Sequence, residues 1–245
     1  MQNLPKAIFV SGTDTSVGKT VVTALLALCL KKAGKKVGVL KPFQTGTETE
    51  PFLDIEFIYN ALEEDYNLDE VCPLRLKKAL SPYSAAKIEN FNIPLEEIIN
   101  HCRNFIFRNE ITLIEGAGGL YVPITNNYTM ADIAADLDLP IVLVARPGLG
   151  TINHTLLSVE HIRKKKLNLL GIVINNFKNN FDLASITNLD VFKNLYKLNI
   201  IGVVPSFSST CMDNYFTDKV KATSDNYFSY ILGGCFEYEK FVDKF

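Results

Sequence analysis

The segment Gly12-Thr13-Asp14-Thr15-Ser16-Val17-Gly18-Lys19-Thr20 constrains this chain more than any other. The apolar run Ile8-Phe9-Val10 before it reads as a short buried strand. Lys19 to Ala33 after it reads as a helix that stops at Gly34. Strand, glycine-bounded loop and helix in that order place a row of backbone N–H groups at the positive end of a helix, where phosphate oxygens are stabilised. In that setting Lys19 reaches terminal phosphates and the Thr20 hydroxyl suits Mg²⁺. The usual pattern has four residues between its glycines. Here Thr13 stands where the first glycine is expected and Gly12 lies one earlier, while the Gly18-Lys19-Thr20 end is intact.

The rest of the chain alternates in the same way. Lys36 to Leu40, Ile111 to Ile114, Ile141 to Ala145, Leu169 to Ile174 and Ile200 to Val204 read as strands. Helical spacing runs through Phe52 to Leu62, Leu95 to Phe107, Thr151 to Lys166 and Leu183 to Leu198, with a short helix capped by Thr129. Short runs of Val, Ile and Leu between helices mark parallel strands buried on both faces. The expectation is an α/β P-loop NTPase fold, a mostly parallel sheet flanked by helices on both faces, with residues 1–245 forming one domain. Residues 66–83 and those after Gly234 are the least legible.

Composition narrows the function classes. A net charge of -2 gives no broad basic face for nucleic acid or an acidic membrane. The longest apolar run, Val21 to Leu30, is too short to span a bilayer. Cys29, Cys72, Cys102, Cys211 and Cys235 are scattered, odd in number and without Cys-x-x-Cys spacing. With Met1 to Lys6 running straight into an apolar strand rather than a secretion signal, a cytoplasmic protein with reduced thiols is expected.

Three further positions carry chemistry. Ile111-Thr112-Leu113-Ile114-Glu115 is a strand ending in a carboxylate. In a P-loop protein the strand beside the first often ends in an acid that holds Mg²⁺. Gly116-Ala117-Gly118-Gly119 follows it, letting backbone approach a ligand closely. The second strand runs into Lys41-Pro42-Phe43-Gln44-Thr45-Gly46, at the carboxyl end where open α/β sheets bind ligands. Lys41 there could neutralise a transferring phosphoryl group, beside the phosphate loop if the strand order is usual, and Thr45 could hydrogen-bond a substrate. Asp54 opens the following helix. Taken by itself it favours the positive helix end as much as it favours a metal.

These residues together resemble dethiobiotin synthetases. The carriers are Gly12-Thr13-Asp14-Thr15 through Gly18-Lys19-Thr20, Lys41-Pro42 with Thr45-Gly46, Asp54, Ser81-Pro82, Glu115 to Gly119, Gly148 to His154, Asn175, and Gly202 to Pro205. They run in family order across about 200 residues, and the Gly-Thr-Asp-Thr and Glu-Gly-Ala-Gly-Gly forms are specific in combination. The resemblance implies an ATP- and Mg²⁺-dependent ligase that joins 7,8-diaminononanoate and CO₂ (or bicarbonate) into dethiobiotin. It implies Lys19 and Lys41 as catalytic residues, and Thr20, Asp54 and Glu115 as Mg²⁺ ligands. Ser16, Val17, Gly18, Lys19, Thr20, Val21, Asp54, Glu115, Gly116, Ala117 and Gly118 would line the phosphates, with Asn175 reading the adenine edge and Asn176, Pro205, Ser206 and Phe207 flanking the nucleotide. Thr45 would contact the diamine, and the helix start Gly150-Thr151-Ile152-Asn153 the substrate carboxylate. In the family that helix start serves the partner subunit's site, so a homodimer is implied.

Ser16 stands where such proteins often carry Glu, and Tyr83 follows Ser81-Pro82 where others differ. Two other readings stay open. A partitioning-type ATPase switch would carry a lysine at the position of Asp14. An amide ligase of the cobyrinic-acid type would carry a glutaminase domain, for which about 40 residues after the last strand are too few.

Overall fold

The computed structural model describes residues 6–49, 53–177 and 183–205. Strand β1 (Ala7–Gly12) leads into α1 (Lys19–Lys32), and the chain returns through β2 (Val37–Leu40). A short β3 (Phe43–Thr45) precedes α2 (Asp54–Leu62). Then come α3 (Leu68–Val71), β4 (Leu74–Leu76), α4 (Pro82–Ile88) and α5 (Leu95–Arg108), leading to β5 (Ile111–Gly119). The hairpin strands β6 (Pro123–Thr125) and β7 (Tyr128–Thr129) are followed by α6 (Met130–Asp136), β8 (Ile141–Ala145), α7 (Thr151–Lys164) and β9 (Leu169–Phe177). After α8 (Leu183–Asp190) the chain makes a π turn, Val191–Leu195, and ends its described part in β10 (Ile200–Pro205).

Six of these strands form one sheet in the order β10-β9-β8-β1-β5-β2, each pair parallel. Every residue of β1, β2 and β8 is buried, so both faces of those strands are covered. That is why they read as unbroken apolar runs rather than alternating ones. β1 lies in the interior with β8 on one side and β5 on the other, so the loop after it opens at the centre of the sheet's carboxyl edge.

The strand order corrects one expectation. β2 does not lie beside β1; β5 sits between them, in register from Val37↔Ile111 to Leu40↔Ile114. Lys41 therefore follows a strand that borders Glu115's strand rather than the loop's own. A second difference lies in residues 66–83, where the structure forms α3, β4 and the start of α4, with β4 pairing to β3 in a separate two-stranded parallel sheet. α4 starts as its sequence dictates: Pro82 occupies its first turn and the Ser81 hydroxyl accepts from the Ser84 N–H at 3.2 Å. The stretch 183–198, expected as one helix, breaks into α8 and the π turn.

Gly116 shows how tightly β5 packs on β1. A Cβ there would lie 2.8 Å from Cζ of Phe9, a ring with no exposure at all. Its smallness is set by this core contact beside the site.

Candidate active site

The phosphate loop is built by backbone conformation. Gly18, the residue before α1, has φ of 85°, a left-handed geometry that costs side chains with a Cβ about 1–2 kcal/mol. A Cβ on Gly18 would also lie 1.9 Å from Nδ2 of Asn175. That amide nitrogen donates to the Val17 carbonyl at 2.9 Å, so the end of β9 holds the loop from outside. At the other end of the loop, the Thr13 N–H donates to the Val144 carbonyl on β8 at 2.9 Å. Ser16 is exposed with φ of 55°, and Val21 is half-buried one turn into α1.

Behind the loop four charged side chains and one hydroxyl meet. Lys41 Nζ lies 2.7 Å from Glu115 Oε1 and also ion-pairs with Asp54. Thr20 Oγ1 donates to Glu115 Oε1 at 3.0 Å. Residues 74 and 95 positions apart in the chain are brought together by the strand order and by the packing of α1 on the sheet. Lys41 and Glu115 are buried, and Asp54 is the most open member of the set at 24%. Glu115 Oε2 is buried and has no hydrogen-bond partner among the described residues. Lys19, also buried, stands in the first turn of α1.

The electrostatics separate the two lysines. Burial pushes Lys19 below the ordinary lysine value, despite the pull of Glu115 and with Lys41's charge adding to the depression. Burial opposes the charge of Lys41 too, but Glu115 and Asp54 outweigh it and hold it above the ordinary range. Burial tends to raise the Asp54 carboxyl, and Lys41 with Thr20 brings it below its usual value. Lys41 is thus a fixed cation, whereas Lys19 lacks a full counter-charge. The cluster balances two lysines against two carboxylates next to a helix N-terminus, whose positive end remains for a polyphosphate to complete.

The other sequence-derived positions fall around this centre. Ala117 and Gly118 are half-buried where β5 leaves the sheet, and Thr45 is half-buried at the end of β3. Gly150 is exposed with φ of 84°, Thr151 is buried, Ile152 half-buried and Asn153 exposed at the start of α7. The Thr151 hydroxyl lies 3.4 Å from that of Thr155, inside the helix. Asn176 is exposed at the end of β9 with φ of 65°, and Pro205 ends β10. Ser206 and Phe207 lie outside the described residues. One contact was not foreseen: His154 Nδ1 lies 3.7 Å from Asp14 Oδ2, linking the phosphate loop to α7. The signal for it was the place of His154 in the first turn after β8, a strand whose pairing with β1 the sequence does not state. Among the described residues no three or more His, Cys, Asp or Glu side chains group to hold a metal. The set at Glu115 has two carboxylates and a hydroxyl.

A glycine-bounded loop between β1 and α1, with Lys19 and Thr20 in the first turn of the helix at the centre of a parallel sheet, makes this a P-loop nucleotide-binding protein. A family model described as an AAA domain matches residues 6–211. The ATP-dependent dethiobiotin synthetase of Bacillus licheniformis is 40% identical over 201 residues, covering 82% of this chain and 86% of its own. That of Methanocaldococcus jannaschii is 40% identical over 207 residues, covering 81% and 94%. The chain belongs to the dethiobiotin synthetase family. Among solved structures, the MinD cell division protein of Aquifex aeolicus superposes with a TM-score of 0.54 over 97% of this chain and 94% of its own, at 16% identity. That likeness is one of fold alone.

Proposed function

We propose that this protein forms dethiobiotin from 7,8-diaminononanoate, CO₂ and ATP, releasing ADP and phosphate. One substrate amine adds to CO₂ and loses a proton, giving a carbamate. A carbamate oxygen attacks the γ-phosphorus, the bond to the ADP oxygen breaks, and a mixed carbamic–phosphoric anhydride results. The second amine attacks the carbamate carbon, its proton leaves, and phosphate is expelled as the ureido ring closes. A carbamate is a poor electrophile, and phosphorylation gives it a leaving group. The protein's share is positioning and charge neutralisation.

The observation that carries this reading is the Lys41–Glu115–Thr20 cluster behind the phosphate loop, in a chain of this family. Lys41, held cationic by its carboxylates, supports charge on the carbamate and on the phosphoryl group in flight. Lys19 neutralises the terminal phosphates, and N–H groups of 16–21 cradle them with help from 115–118. Asn175 and Asn176 with Pro205, Ser206 and Phe207 flank the base. Asn175 fastens the loop through Val17 as well.

Thr20, Asp54 and Glu115 suit Mg²⁺, a hard ion that takes oxygen ligands and leaves positions for phosphate oxygens and water. The buried, unpartnered Glu115 Oε2 is the atom in this structure that such an ion would satisfy. Bound Mg²⁺ would supply charge neutralisation on the phosphates. Thr45 contacts the diamine, and the helix start Gly150 to Asn153 receives the carboxylate, in the site of a second subunit of a homodimer. Residues 1–245 act as one domain, in the cytoplasm. Among the described residues no helix is long and apolar enough to cross a membrane. A partitioning-type switch is less well supported, because the position of its loop lysine is Asp14, whose carboxylate faces His154.

The test is purified protein with Mg-ATP and bicarbonate, with and without the diamine, following phosphate release and dethiobiotin mass. Diamine-dependent phosphate matched one-to-one by dethiobiotin is the expected result. Hydrolysis indifferent to the diamine would refute the synthetase reading.

A further inference from the structure

The connection from β8 to α7 is poorly held by its own packing. Arg146, Leu149 and Gly150 are exposed, Leu149 at 83%, and Gly150 takes a left-handed φ. Yet α7 begins from this connection, and the orientation of its first N–H groups follows from how the connection is fixed. One side chain from another element fixes it. Asn188, on α8 and 7% exposed, directs its amide nitrogen at two successive carbonyls, donating to Pro147 O at 2.8 Å and to Gly148 O at 3.2 Å. The Gly148 carbonyl also accepts from the Thr151 N–H at 3.3 Å, so the clamp extends into the first residue of the helix.

The geometry points to Asn188 as a positioning residue for recognition of the substrate's carboxylate. It touches no reacting atom. It holds the turn that presents Gly150 to Asn153, and so sets whether those N–H groups meet an anion together or one at a time. This rests on the reading that the start of α7 receives the carboxylate. The chemistry of the clamp explains the residue type: both NH₂ hydrogens are used on two carbonyl oxygens, which a hydroxyl or a carboxylate cannot do. A helix turn held in advance loses less entropy on binding than one ordered by the ligand.

The experiment compares the parent with Asn188→Ala and the near-isosteric Asn188→Asp, which faces the same carbonyls with an acceptor. Hydrogen exchange of the Thr151 amide, whose N–H donates to the Gly148 carbonyl that Asn188 holds, reads the clamp directly, whatever the activity. It should be faster in both variants than in the parent. Kinetics then use 7,8-diaminononanoate and the same diamine lacking its carboxylate. The parent should favour the acid, and the variants should raise KM for the acid by about tenfold, the loss of one good hydrogen-bonding site. KM for the carboxylate-free diamine and for ATP should change little, so the preference for the acid narrows. Unchanged exchange overturns the clamp. Faster exchange with an unnarrowed preference, or equal rises in KM for acid, analogue and ATP, overturns its role in recognition. A parent that turns over neither diamine refutes the synthetase reading instead, and hydrogen exchange still decides the clamp.

Discussion

Lys41 Nζ sits 2.7 Å from Glu115 Oε1, and the other oxygen of that carboxylate has no hydrogen-bond partner among the described residues. One carboxylate thus both anchors a buried cation and keeps a buried acceptor unpartnered among the described residues. Replacing Lys41 with Met leaves Glu115 and Asp54 without their cation. Breaking one side of a buried pair costs about 3–5 kcal/mol, so thermal unfolding should move several degrees lower. Turnover should fall by about 10²–10³, as when one transition-state donor is removed, while ATP still binds. Adding Glu115→Gln should recover part of the unfolding temperature and none of the turnover. Calorimetry and single-turnover kinetics check the two separately.

Lys19 predicts a proton signature for nucleotide binding. Its pKa is below the ordinary 10.5 because of burial. Between its folded value and 10.5 the unfolded chain binds more protons, so stability rises with pH across that window. Bound phosphates reverse the depression. ATP binding at pH values between that folded pKa and 10.5 should therefore take up a proton, and Lys19→Met should abolish the uptake. Titration calorimetry in buffers of different ionisation enthalpy measures it.

Asp54 works in the opposite sense. Its folded pKa lies below the usual value, so its contribution is present above the unfolded pKa and is lost as pH falls through the folded one. Acid unfolding of the parent should steepen below about pH 4, and Asp54→Asn should flatten that limb. Denaturant midpoints recorded against pH are the readout.

Gly18→Ala should weaken ATP binding by at least about tenfold, since left-handed strain of about 1–2 kcal/mol adds to overlap with Asn175. The double change with Asn175→Ala removes the overlap and keeps the strain. It should recover binding only in part, as read by nucleotide titration. Full recovery would mean that the backbone conformation matters little.

Thr20 separates a hydroxyl from a shape. Thr20→Val keeps the branched side chain and loses the bond to Glu115. It should need more Mg²⁺ for half-maximal rate and turn over about a hundredfold more slowly, whereas Thr20→Ser should stay close to the parent. Rates across an Mg²⁺ series decide it.

Much of this was readable beforehand, for definite reasons. The strand–loop–helix unit was legible because each residue of Gly18-Lys19-Thr20 has a local cause, and the interior strands because burial on both faces leaves unbroken apolar runs. Lys41, Asp54 and Glu115 could each be nominated, but their meeting could not be read from spacing. It depends on β5 lying between β1 and β2, which pairing decides and periodicity does not encode. β3 and β4 went unseen because three-residue strands carry too little alternation. The amide of Asn188 looked like any polar residue on a helix, because its partners are backbone carbonyls 40 and 41 positions away.

The insertion of β5 between β1 and β2 also sets when the protein can first hold its nucleotide. A growing chain that has passed Lys41 owns the loop and the cation but not Glu115, and β2 has no neighbour to pair with. A ligand held by both the loop and Glu115 favours, by mass action, molecules in which β5 is in place over unfinished ones. A complete nucleotide site in this chain thus marks a sheet in which β5 has taken its place between β1 and β2.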